Sequence, residues 1–269
     1  MGKELTKLKR RREARKGFDD INNKRDMFLV IHYSCESFYD IKDGRTPRIT
    51  SIAIRNFSTG QTHSFSIHKS AEQSHVPVEE VPDRYDDLER QMLNEYFEFV
   101  KTRHGYSFIH WNMRDINYGF QAIEHRYKVL GGEPFIIDDS RKFDIARALI
   151  SLYGVAAYVP HGDFGRLHSL LDINKITAKD LLNGKQEADA FDNKEFIKLH
   201  QSTLRKVDVM SNILERVLDG SLKTNSTWMD VNGIHPAVII EVVTDHWAWS
   251  LVVFVAGVIG LVASLNGLF

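Results

Sequence analysis

Three kinds of side chain in this sequence could act on a phosphate: carboxylates that follow apolar runs or sit in a late helix, histidines that share a face with them, and a cluster of cations. The first carboxylate is Glu36. It follows Phe28-Leu29-Val30-Ile31, a run apolar enough to be a strand buried on both faces. Period two then sends His32, Ser34 and Glu36 to one face and Tyr33 and Cys35 to the other. An acid at the C-terminal lip of a central strand lies where open α/β sheets place their chemistry. The second carboxylate, Asp115, follows the apolar residues Phe108 and Ile109 at the start of an expected helix, where an acid also serves as a cap. If those two strands are neighbours, the two acids converge, as a divalent cation requires. The third, Asp208, sits in a long amphipathic helix between Val207 and Val209. His200 lies eight residues before it on a similar face.

The elements that must position these residues can be read from periodicity and turn chemistry. After the strand that ends at Glu36, the breakers of residues 42–47 lead to a strand over 48–57. Ser58-Thr59-Gly60-Gln61 turns into a third strand over 62–68. A Pro-marked loop precedes a helix over 84–104, with Leu88, Met92, Leu93, Tyr96, Phe97 and Val100 at helical spacing and Gly105 as a stop. A fourth strand covers 106–110, and the helix after it carries Phe120, Ile123, Tyr127 and Leu130. A fifth strand is expected at 134–137. Asp144 reads as a helix cap or a sheet-edge residue rather than a ligand, residues 160–166 as a loop able to overhang the site, and 193–218 as the last long helix. The order strand, strand, strand, helix, strand predicts an α/β fold. It is the opening of a ribonuclease H-like, five-stranded mixed sheet in which an antiparallel meander joins parallel strands, with flanking helices.

The chain of 269 residues has a net charge of -1 and is 43% hydrophobic, so it is neither disordered nor uniformly basic like a nucleic-acid coat. Its single cysteine, Cys35, cannot form an internal disulfide, which suits a reducing compartment. The first sixteen residues carry eight Lys or Arg, among them Lys9, Arg10, Arg11 and Arg12. Such a run is either a solvated helical arm or a counter-charge for the phosphates of nucleic acid or of anionic lipid. Residues 247–269, opened by Trp247 and closed by Phe269, contain no charged residue or histidine over 23 positions, enough helix to cross a bilayer core. Trp247 and Trp249 suit the interfacial belt. Ala256, Gly260 and Ser264 form a small-residue stripe able to pack against a second copy, which predicts a homo-oligomer. The expected organisation is a basic arm (1–26), a globular domain (27–218), a polar linker (219–233) and a membrane-anchoring transmembrane helix (234–269) that holds the domain at the cytoplasmic face.

The order Glu36, Asp115, Asp208 over residues 27–218 resembles the DEDD-type three-prime to five-prime exonucleases. Val30 to Ser37, His110 to Asp115 and Phe143-Asp144-Ile145-Ala146-Arg147 are the local matches. The resemblance implies Glu36, Asp115 and Asp208 as catalytic residues and ligands of Mg or Mn, with His110 and Asn112 joining the basic arm in contacting nucleic acid. Two departures weigh against hydrolysis. Ser34 stands where the family has an aspartate, and Thr203 and Leu204 stand where it has the His or Tyr that activates water. His32 cannot stand in, being roughly 13 Å from Glu36 along the strand; His200 is the remaining candidate base. The expectation is a membrane-tethered domain that recognises nucleic acid with a degraded metal site, possessing the parts of a sensor and effector in antiviral defence. An active exonuclease and a non-catalytic scaffold are the alternatives.

Overall fold

The computed structural model describes residues 3–37, 46–114, 116–155 and 158–232, with residues 249, 251, 254–256 and 258 of the tail. Asp115, Trp247, Gly260, Ser264 and most of the expected membrane helix therefore lie outside the described residues. Among the described residues no helix is long and apolar enough to cross a membrane.

Strand β1 (Phe28–Cys35) is the middle of a five-stranded mixed sheet of order β3-β2-β1-β4-β5. The turn at Gly60, with φ of 72°, returns β2 (Ile49–Asn56) antiparallel into β3 (Thr62–Ser66), and β2 runs antiparallel to β1. On the other side β4 (Ser107–His110) and β5 (Lys142–Asp144) run parallel to β1. Parallel neighbours need crossovers, and α3 (Tyr85–Lys101) and α4 (Phe120–Val129) supply them. The alternation of β1 divides the core. Leu29, Ile31 and Tyr33 pack with Leu88, Met92 and Tyr96 of α3 and with Ile123 of α4. Phe28 and Val30 pack with Leu149 of α5 (Ile145–Tyr153) and with Val207, Met210 and Ile213 of α8 (Phe196–Leu218). Beneath α3, the fully buried Glu89 is held by Arg126 at 2.6 Å and by the Ile49 N–H at 2.7 Å.

Several expectations are corrected. The basic arm is helix α1 (Lys3–Asn23), whose Ala14, Phe18 and Ile21, spaced four and three, are buried in the α5–α8 core. It is part of the fold. The fifth strand is 142–144 and not 134–137, where Pro134 has no N–H to give to a ladder. The third strand stops at Ser66, and α2 (Ile67–Gln73) follows at once; its Lys69 reaches back from α2 to the edge strand, donating to Ser64 Oγ at 2.9 Å and the Ser64 carbonyl at 3.4 Å. The helix expected near Asp115 begins at Phe120. The polar linker is pinned down: Leu222 is buried, Lys223 N–H donates to Asn174 Oδ1 at 2.8 Å, and Ser226 Oγ donates to the Tyr153 carbonyl at 2.8 Å. It leads into α9 (Trp228–Asn232).

Candidate functional site

Helix α8 crosses the face of β1 and β2 and meets their polar ends with its first half. Ser34 of β1 and Ser51 of β2 are directly opposed, and both are fully buried. Thr203 of α8 drops between them, its Oγ1 2.8 Å from Ser34 Oγ and 2.6 Å from Ser51 Oγ. Ser34 Oγ also donates to Glu187 Oε1 at 3.0 Å. Each hydroxyl has one proton to give. Ser34 gives its proton to the carboxylate and Ser51 can give its own to Thr203, whose single proton has both Ser34 Oγ and the Leu199 carbonyl, at 2.9 Å, as acceptors.

Glu187 comes from α7 (Gly184–Asp192), a short helix fixed by a capping box in which Asn183 Oδ1 accepts from Gln186 N–H and the Gln186 side chain accepts from Asn183 N–H. One turn beyond Thr203, Lys206 places its ammonium 2.6 Å from the same Glu187 oxygen. Only 11% of the Lys206 side chain and 14% of that of Glu187 is exposed. A charge so enclosed needs a partner and hydrogen bonds, and Ser202 Oγ adds another donor at 3.3 Å. The cluster is thus an anion–cation pair with four hydroxyls ranged about it.

Two imidazoles lie within electrostatic reach of Lys206, and an exposed ring stands beside one of them. His32 is buried on the same strand face, and burial first, then the charge of Lys206, holds its pKa well below the usual imidazole range. It is neutral, with Nε2 3.4 Å from the Tyr118 hydroxyl and Nδ1 without a hydrogen-bond partner. His168 of α6 (Arg166–Asn174) is also lowered, by burial and then by Lys206, which puts it within electrostatic reach of the same ammonium. Phe164, in the loop expected to overhang the site, is exposed and lies 5.9 Å from the His168 ring.

The expected acids do not gather here. Glu36 follows directly on β1, where it was expected, but it is buried rather than open at the strand's lip, and its carboxylate turns back to accept from the Arg48 N–H at 3.0 Å. Asp208 pairs with Arg205 at 3.0 Å and lies 3.7 Å from Arg55. Arg48 and Arg55 stand near opposite ends of β2, roughly 20 Å apart at strand rise. Asp208 is also about 200° around α8 from Lys206, on the flank toward β3. His200 lies on that flank too, its ring 4.8 Å from that of His68 and its Nε2 3.4 Å from Ser64 Oγ. It does not reach the Lys206 cluster.

At the ends of β4 and β5, Asp144 is the N-cap it was read to be, accepting from Arg147 N–H at 3.2 Å and lying 2.8 Å from Arg114 Nε. His110 is buried, with Nδ1 accepting from Met113 N–H at 3.2 Å and its pKa lowered to about 4, chiefly by burial. It cannot offer its ring to a ligand in solvent. Asn112 is exposed, with φ of 56° and Oδ1 accepting from Arg114 at 2.9 Å. Of the basic arm, Arg11 is committed to the Leu152 carbonyl at 3.2 Å, while Lys9, Arg10 and Arg12 are exposed.

The chain matches no family model and no curated protein. What the site can hold is therefore read from its own donors. A divalent cation needs several anionic oxygens free to ligate it, and among the described residues no three His, Cys, Asp or Glu side chains come together to supply them. The carboxylate at the centre already has an ammonium at contact distance. The described residues do not fit Mg or Mn.

Glu187 and Lys206 were missed by sequence reasoning. Lys206 could have been found as a cation on the buried side of α8, between Thr203 and Met210. For Glu187 the signal was the Asn183 and Gln186 capping pair, which marks a helix start.

Proposed function

We propose that this chain is a membrane-tethered domain of ribonuclease H-like, exonuclease-like architecture that recognises nucleic-acid ends or related phosphates without cleaving them. The observation that carries the reading is the Lys206–Glu187 pair at 2.6 Å beside Ser34. An ammonium fixed to the chain supplies one positive charge and hydrogen-bond donors, but it has no open coordination position from which to activate water or to stabilise a leaving oxygen, the tasks of the metals in phosphodiester hydrolysis. The strand order β3-β2-β1-β4-β5, with a meander on one side of β1 and parallel strands on the other, supports the architecture. Phe164, exposed beside His168, offers a face on which an unpaired base can stack. The membrane tether rests on residues 247–269, whose sequence is apolar and uncharged over the length of a bilayer core.

The test uses the full chain in detergent with end-labelled single strands and Mg or Mn. Retention of the strand with its label intact is expected, weakened by Phe164→Ala. A ladder of shortened products that disappears in Asp115→Ala would instead establish an active exonuclease, and no retention of any strand would favour the scaffold.

A further inference from the structure

The basic residues of α1 were open to two partners, and the fold places them beside the segment that leads to the tail. Arg15 Nη2 donates to the Val231 carbonyl of α9 at 2.8 Å. Arg11 Nε donates to Leu152 at the end of α5, and Ser226 of the preceding segment donates to Tyr153 next to it. The middle of α1, the end of α5 and α9 are therefore joined at one place. From Val231 only fifteen residues separate this junction from Trp247, at most about 50 Å even if fully extended.

Lys9, Arg12 and Lys16, spaced three and four, line one face of α1, opposite the buried Ala14, Phe18 and Ile21. All three are exposed, and none makes an ion pair with a described residue. Arg10 adds a fourth exposed cation to the same end of the helix. The acids of this helix do not cancel the stripe: Glu4 precedes it, Glu13 lies to one side of it, Asp19 and Asp20 come after it, and Asp20 is taken by Lys24 at 2.7 Å.

We infer that this stripe is a docking face for the anionic lipid headgroups of the membrane that the tail enters, which would orient the domain on the bilayer. The inference rests on the membrane reading of residues 247–269 and adds to it a second, electrostatic contact. Cations held near a bilayer gain from its negative surface potential, an effect that fades within a Debye length. Each basic residue of the stripe should change the docked-to-undocked ratio roughly fivefold at moderate salt.

The experiment uses the full chain with Cys35→Ser and a single environment-sensitive label at Glu13→Cys, reconstituted into vesicles of phosphatidylcholine with or without phosphatidylserine. Headgroup-attached quenchers should dim the label on phosphatidylserine vesicles and much less on neutral ones. Added salt should reverse the quenching, and Lys9→Glu with Arg12→Glu and Lys16→Glu should abolish it. Co-flotation with equal quenching on both vesicles would overturn the docking face and leave the tether standing. Failure to float with either vesicle would overturn the tether and the docking face with it. A label that responds to single-stranded oligonucleotide on neutral vesicles, and not to phosphatidylserine, would assign the stripe to nucleic acid and overturn the inference.

Discussion

Without Lys206, the carboxylate of Glu187 would keep only hydroxyl donors in a nearly enclosed site. Breaking such a pair from one side strands the remaining charge, so Lys206→Met should lower stability by about 3 kcal/mol in a urea titration. Lys206→Met combined with Glu187→Gln should recover most of that loss, because the stranded charge is gone as well. Simple additivity of the two single effects would show that the pair is not coupled. At this scale the sequence was legible in part. Glu36 does follow β1 directly, and Ser34 does lie on the strand face that α8 covers, bonded to Thr203 and Glu187. Whether Glu36 and Asp208 converge was not legible, and they do not. It depends on how far along β2 and how far around α8 each acid falls, and a helix that buries Thr203 and Lys206 necessarily turns Asp208 toward the opposite flank.

Among the elements, α1 changes the account most. Read as an arm, it could be deleted; as a helix that buries Phe18 against Phe143, with ring centroids 5.4 Å apart, and Ile21 against the α8 side, it cannot. Phe18→Ala should cost about 3 to 4 kcal/mol, measured as a shift in denaturation midpoint. A variant as stable as the parent would show that α1 is dispensable after all. β1 was legible as a short, wholly apolar run buried on both faces, and α3 and α8 because one face of each helix is buried and the 3.6-residue pattern carries the signal. The short elements were not. β5 has three residues, α2 has seven and α7 has nine, too few for a period to emerge. Their positions are set by what they pack against.

Over the whole molecule, buried imidazoles set the response to acid. His110 and His200 are held neutral, with pKa values lowered to about 4 and about 3, in each case chiefly by burial, and His32 is lowered by the same cause. In the unfolded chain these rings titrate near 6.5. Below that pH the unfolded state takes up protons that the folded state refuses, so stability is complete above about 6.5 and is lost as pH falls toward the folded values. The slope reaches about 1.4 kcal/mol per pH unit for each ring. Glu89 acts in the opposite sense between 4.5 and 7: burial, against which Arg126 works, raises it to about 7, so its contribution grows on acidification. Three rings outweigh one carboxyl. The melting temperature should therefore fall between pH 6.5 and pH 5 and fall less in His200→Asn; a melting temperature unchanged across this interval would contradict the burial of these rings. One further consequence concerns how copies of the chain meet. β3 is the open border of the sheet, and Lys69 covers its Ser64 carbonyl and hydroxyl. An ammonium at such a border discourages another strand from adding to it. A second strand could add to β3 only after that ammonium had been pulled away from Ser64, so this rim is latched by a side chain that a single substitution, Lys69→Ala, would release.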